Sequence, residues 1–333
     1  MKNFRPAIFY GLIVFSLAVL LLAPFIGMQS ISLTDIFSRS GDQVYSDVFW
    51  KIRLPRVLTA FLAGAALAIS GMVFQAMFRN PLATPFTLGV SSGAAFGAAV
   101  YVKIGLFFAF LGFSGQILFA FLGAFLSVIF VYGISRLKKG FTTNSMLIAG
   151  VAINFFFSSL ILFIQYLSDF SRSFQIIRWL MGGFEMIGFR PVLTLLPVVF
   201  FGSLIIFFLT HEINLLSLGE DIALSRGSDV QKLKIFLFFA ISLMVGSVVA
   251  ISGPIGFIGM MAPHICRLLV GNDHRFLAPV TFFFGGAFLL FCDILARTLI
   301  SPAEIPVGVI TSLLGGPFFL YLLIRSKEEG VFV

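Results

Sequence analysis

Ten apolar stretches, each about as long as a bilayer is thick, are strung along this chain with short polar joints between them. They run Ala7–Met28, Leu54–Met77, Phe86–Val102, Phe107–Ser135, Ser145–Leu167, Pro191–Thr210, Leu233–Ser252, Ile255–Val270, Phe276–Ala296 and Ile305–Ile324. A spanning helix needs about 20 apolar residues, so ten of them consume most of the 333 residues. What remains is too little for a sizeable domain outside the membrane. Only 11% of the residues are charged, against roughly 25% in a soluble domain. A soluble enzyme and a disordered chain are both excluded. The expected architecture is an all-α integral membrane protein, with residues 1–333 forming a single polytopic transmembrane domain. Lys2 and Arg5 precede an apolar run longer than the core of a cleavable signal peptide, so that run is read as a retained first helix.

Ten spans put both termini on one side, and Lys and Arg choose which. With the amino terminus in the cytoplasm, the inner joints hold thirteen of the 22 basic residues and the outer joints nine. The net charge of +8 is assigned to orientation and lipid headgroups, not to nucleic acid. The outer arginines form a surplus that orientation does not explain. Two spans are short and interrupted. Phe86–Val102 follows Pro81 and Pro85 and contains Gly89, Gly93 and Gly97; Ile255–Val270 follows Gly253 and Pro254 and contains Gly256, Gly259 and Pro263. They are the second members of spans 2–5 and 7–10. Such matched interruptions either mark internal repeats around a transport path or are two independent kinks. Because spans 2 and 7 run in opposite directions, a repeat would be inverted.

Embedded chemistry is sparse. Asp293 lies four residues before Arg297 on one helical face, either as a local ion pair or as the coupling acid of a secondary carrier. Asn154, Ser158, Ile161 and Gln165 share one face of span 5, and Gly308, Thr311, Ser312 and Gly315 one face of span 10. Such faces line an aqueous path or hold helices together. Cys266 and Cys292 give neither a disulfide framework nor a zinc pattern, and the pair His264 and Cys266 is a weak metal signal. No Gly-Lys dipeptide occurs, so there is no phosphate-binding P-loop. The chain is therefore expected to be no enzyme and to bind no metal or cofactor; active transport would draw its energy from a partner. In the longest inner joint, Leu216–Gly227 reads LSLGEDIALSRG. Glu220 and Asp221 favour a helix start and Gly227 its end. Ile222, Ala223 and Leu224 give that helix an apolar side, which either docks a partner or lies on lipid.

Five segments in order carry a family resemblance: RLPR at Arg53–Arg56, GAALAISGMVFQAMFRNPLATPFTLGVSSGA at Gly64–Ala94, LGEDIALSRG in the inner joint, GPIGFIGMMAPHICRLLVGNDHR at Gly253–Arg275, and EIPVGVITSLLGGPFFLYLL at Glu304–Leu323. With them, nearly the whole chain resembles the ten-helix permease subunits of type II ABC importers, the FecCD-like family that handles ferric siderophores, haem and cobalamin. The resemblance implies a pair of permease subunits, identical or close paralogues, with the path between them lined largely by helices 5 and 10: Asn154, Ser158, Gln165, Gly308, Thr311 and Ser312. It implies two cytoplasmic ATPase subunits, which use ATP and magnesium, and an extracytoplasmic binding protein that delivers the ligand. Leu216, Gly219, Glu220, Asp221, Ala223, Arg226 and Gly227 match the family's coupling segment, and Thr143 and Asn144 its inner gate. Arg53, Arg56 and Arg297 match arginines that receive acidic residues of the binding protein. The implied home is the bacterial cytoplasmic membrane. The leading cargo is a ferric siderophore-type chelate, with haem, cobalamin and molybdate as alternatives.

Overall fold

The computed structural model describes residues 4–27, 43–105, 108–110, 113–137, 143–185 and 187–329. Arg39, Lys138, Lys139 and most of the expected outer joint after span 1 lie outside them. Each expected span has its helix: α1 Phe4–Leu22, α2 Leu54–Phe78, α3 Val90–Ile104, α4 Gly115–Leu137, α5 Thr143–Tyr166, α6 Arg190–Phe208, α7 Val230–Ser252, α8 Ile258–Val270, α9 His274–Thr298 and α10 Val307–Glu329. Among the described residues, seven helical segments are long and apolar enough to cross a membrane, while α3, α8 and the apolar part of α10, Val307–Leu322, are shorter. Span 4 begins later than its apolar stretch, because Ala109–Phe110 and Phe113–Ser114 pair as a small antiparallel turn.

Helix α2 is the centre of the bundle. Pro55 sits in its first turn, where the missing N–H removes no helical hydrogen bond. Most of its length is buried, against α6, α7, α8 and α9. Alanine and glycine make that possible, since small residues let helix backbones approach closely in a bilayer. At Gly71 a Cβ would lie 1.8 Å from the Gly259 carbonyl oxygen of α8, and at Gly64 one would lie 2.4 Å from the Gly285 carbonyl oxygen of α9. By contrast α1, α4, α5 and α6 expose broad apolar flanks, including Phe15, Phe125, Phe155 and Phe200.

The bundle has two ends. The basal end carries the starts of α1, α5, α7 and α9, and the apical end carries the starts of α2 and α10. Thus α2 and α7 run in opposite directions. Exchanging helices 2, 3, 4 and 5 with 7, 8, 9 and 10 maps one set of packed pairs onto another. The pairs α2–α9, α3–α4, α2–α8, α3–α5 and α4–α5 become α7–α4, α8–α9, α7–α3, α8–α10 and α9–α10, and all ten pack. That correspondence is what an inverted repeat requires. The two short helices, α3 and α8, are entered through irregular backbone, a single turn at Pro85–Leu88 ending on left-handed Gly89 and a segment in which Gly253 and Phe257 both have positive φ.

Candidate functional site

Two cavities open side by side on the flank formed by α3, α5, α10 and the irregular backbone that enters α8. One, of about 390 Å³, is lined by Ser91 and Ser92 of α3 and by Asn154, Ser158, Ile161 and Gln165 of α5. The other, of about 510 Å³, is lined by Gly256, Gly308 and Ser312. Phe86, Leu180 and Pro254 border both, so the two form one groove. The whole α5 face expected from helical spacing lies in it. On α10 the expected face divides. Gly308 and Ser312 line the groove, but Thr311 is fully buried with its hydroxyl donating to the Gly308 carbonyl at 3.1 Å. An i+3 step falls about 60° short of a full turn and an i+4 step about 40° beyond it, so Thr311 and Ser312 straddle the groove's edge. Among the described residues, no charged side chain lines either cavity.

At the basal end the expected coupling segment is two helices, Thr210–Leu218 and Glu220–Ser225, rather than one. Gly219 breaks them with φ 139 and ψ 152, a conformation closed to residues with a Cβ. Leu216 and Ala223 are buried anchors, whereas Asp221, Ile222, Leu224 and Arg226 face outward, and Gly227 follows in a left-handed conformation. Glu220, its side chain 42% exposed, reaches back toward α5 and α7. Its Oε1 accepts from Thr143 Oγ1 at 3.2 Å and from Lys234 Nζ at 2.5 Å, and Lys234 also donates to Thr143 Oγ1 at 2.8 Å. Burial opposes ionisation of Glu220, but the Lys234 ammonium and the Thr143 hydroxyl outweigh it and hold the carboxyl below the usual range. Thr143 of the expected gate and Glu220 of the expected coupling segment therefore meet, while Asn144 beside them is exposed. Lys234, at the start of the apolar stretch Leu233–Ser252, carries no role in the sequence reading. The signal was present: Val230, Leu237, Phe238 and Ile241 are the buried stripe of α7, and Lys234 falls on it. Nearby, Asn214 donates to Asp273 at 2.8 Å and accepts from the His274 N–H at 2.9 Å, tying helix Thr210–Leu218 to the start of α9.

The three outer arginines share the apical end, but they do not present themselves to solvent. Arg53 is 7% exposed and donates to the Pro24 and Phe25 carbonyls that follow α1. Arg297 is 6% exposed and donates to the Ala23 carbonyl at 3.0 Å. Arg56 pairs with Asp293 at 2.9 Å and with Glu304 at 2.8 Å, and its own side chain is 9% exposed. Asp293 also has Arg297 Nε at 3.6 Å. The three arginines expected to meet the binding protein thus already have partners within this chain. The carbonyls ending α1 and the carboxylate of Asp293 already engage them, and the exposed charge of the cluster is Glu304, at 47%.

A helical bundle with an open uncharged groove on its flank and a short outward-facing helix at one end has the design of the membrane subunit of an ABC importer, which in general works with ATPase subunits and a substrate-binding protein. The chain belongs to the FecCD transport family, whose model matches residues 13–325. It is 36% identical over 331 residues to the hemin transport system permease protein HmuU of Yersinia pestis, covering 98% of each chain. Over 330 residues it is 38% identical to the vitamin B12 import system permease protein BtuC of Klebsiella pneumoniae, covering 96% of this chain and 94% of that one. Its fold matches a solved metal-chelate type ABC transporter in an inward-facing conformation, with a TM-score of 0.85, 34% identity and coverage of 96% of this chain and 99% of the other.

Proposed function

We propose that this permease, paired with a second copy or a close paralogue, imports a bulky iron chelate of the ferric siderophore type across the bacterial cytoplasmic membrane. The observation that carries this reading is the uncharged groove along α5 and α10. Open sideways, it encloses nothing in one copy; two copies facing one another make it a channel. Leu162 and Leu313 on its borders are exposed, as suits a surface that a second subunit covers. A lining of hydroxyls, amides and apolar groups contacts a large chelate over a wide area without trapping it, whereas ion filters use rings of charge or carbonyls.

In this reading the basal end is cytoplasmic. ATP binding draws two ATPase subunits together, and Asp221, Ile222, Leu224 and Arg226 on the outward side of Glu220–Ser225 take up that movement. Thr143 and Asn144 open and close the inner mouth as the groove faces one side and then the other. The apical end receives the binding protein, with Arg53, Arg56 and Arg297 acting indirectly, by holding α1, α2 and α9 in the shape that docks. The test is uptake into proteoliposomes that hold the permease and its ATPase, with binding protein outside. Expected is ATP-dependent entry of a labelled ferric hydroxamate. Entry of haemin, cobalamin or molybdate in its place would change the cargo, haemin being the alternative that the hemin relative favours. Entry driven by a proton gradient without ATP would overturn the reading.

A further inference from the structure

We infer that Lys234 is a positioning residue that carries movement from the helix Glu220–Ser225 to the mouth of α5. The inference rests on the coupling and gate roles proposed above. Three elements meet at one ammonium: the first residue of the outward-facing helix, the buried stripe of α7 that follows it, and the first residue of the sequence-distant α5. Lys234 is 1% exposed, and among the described residues it donates to Glu220 and Thr143.

The packing around this node leaves it a distinct task. Helix Glu220–Ser225 packs chiefly on helix Thr210–Leu218 and on α7. Its link to α5 is polar, the Glu220–Thr143 hydrogen bond closed into a triangle by Lys234. A buried ammonium stripped of its partners is strongly unfavourable. When the helix shifts, Lys234 therefore keeps hold of Glu220, and Thr143 follows because it is bound to both. Without the ammonium the triangle keeps only its 3.2 Å Thr143–Glu220 side, and the helix moves without drawing α5 firmly with it.

The experiment uses the assembled permease–ATPase complex in nanodiscs, with Cys266 and Cys292 replaced by alanine and a reporter thiol introduced by Asn144→Cys. Its alkylation rate is read with and without ATP and vanadate, and capture of the ATPase is measured alongside. In the otherwise unaltered protein the rate shifts on nucleotide trapping. Lys234→Met should abolish that shift while the ATPase is still captured, because the outward residues Asp221, Ile222, Leu224 and Arg226 are untouched. Thr143→Val cuts only the α5 arm and should abolish it as well, so the inference stays testable if Lys234→Met fails to assemble. Lys234→Arg should keep the shift, and the exchange Lys234→Glu with Glu220→Lys should restore it, which a merely structural lysine would not allow. A shift that survives in both Lys234→Met and Thr143→Val overturns the inference, as does loss of ATPase capture in both, since the node would then belong to the docking surface. No shift in the unaltered protein removes the gate role itself and the inference with it.

Discussion

Gly71 has no room for a methyl group, because a Cβ there would lie 1.8 Å from a backbone oxygen of α8. Overpacking a close-packed site costs about 1–3 kcal/mol and sometimes more, and a backbone carbonyl cannot swing aside. Gly71→Ala should therefore lower the melting temperature of the purified permease clearly, while Gly133→Ala, with open space around it, should leave it unchanged or slightly raised, Ala being favoured over Gly in a helix by about 0.5–1 kcal/mol. Asp293 makes a second test. It is fully buried beside Arg56 and Arg297, and removing one partner of a buried pair costs about 3–5 kcal/mol. Asp293→Ala should produce a fall of that order in thermal scans, at any proton gradient, which a carrier's coupling acid would not predict. For Glu220 the sign of the pH effect follows from its depressed ionisation. Its contribution is complete above the ordinary carboxylate range, near pH 4, and is lost as the pH falls through its own lower value. The stability difference between the native protein and Glu220→Gln should thus stay flat through neutral pH and shrink only in stronger acid. At this scale the sequence was legible in residue type and spacing but not in direction. Spacing placed Asn154, Ser158 and Gln165 on one face, yet it could not tell that Arg53 and Arg297 turn inward to the carbonyls ending α1, since those carbonyls come from a distant helix.

Among the elements, the short helix Glu220–Ser225 is the most exposed to a single change. Ala223 is buried, and its N–H donates to the Gly219 carbonyl at 3.1 Å. Proline there removes that bond and costs about 3 kcal/mol, more than so short a helix can absorb. Ala223→Pro should raise the number of ATP molecules hydrolysed per molecule imported, measured in proteoliposomes, while the protein still inserts. Helix positions were readable from apolar length, and the two short members from their glycines and prolines. The break at Gly219 was not, because LSLGEDIALSRG has the composition of one helix and its backbone angles are set by packing against α7 and the start of α9.

For the whole molecule, the inverted repeat explains why the groove lies on the flank. Helices 5 and 10 are the outermost members of their halves and border one surface. Ser158→Cys and Ser312→Cys, each introduced alone in the background without Cys266 and Cys292, should form covalent dimers on mild oxidation in the membrane, whereas Gly133→Cys on the far side of α4 should not. Persistent monomers at both groove positions would remove the paired-subunit path. Orientation has its own check. Thiols introduced by Ser46→Cys and Ser217→Cys should react with an impermeant reagent from opposite sides of the membrane. The burial of α2 also bears on how the protein is made. Its glycine face is complementary to α8 and α9, and Gly285 leaves the ribosome about 220 residues after Gly64. At about 5–20 residues per second, the most tightly packed helix of the finished bundle waits for ten seconds or longer with its closest-fitting surface turned to lipid or to an insertion chaperone, so chains truncated before α8 should be the preferred prey of membrane proteases.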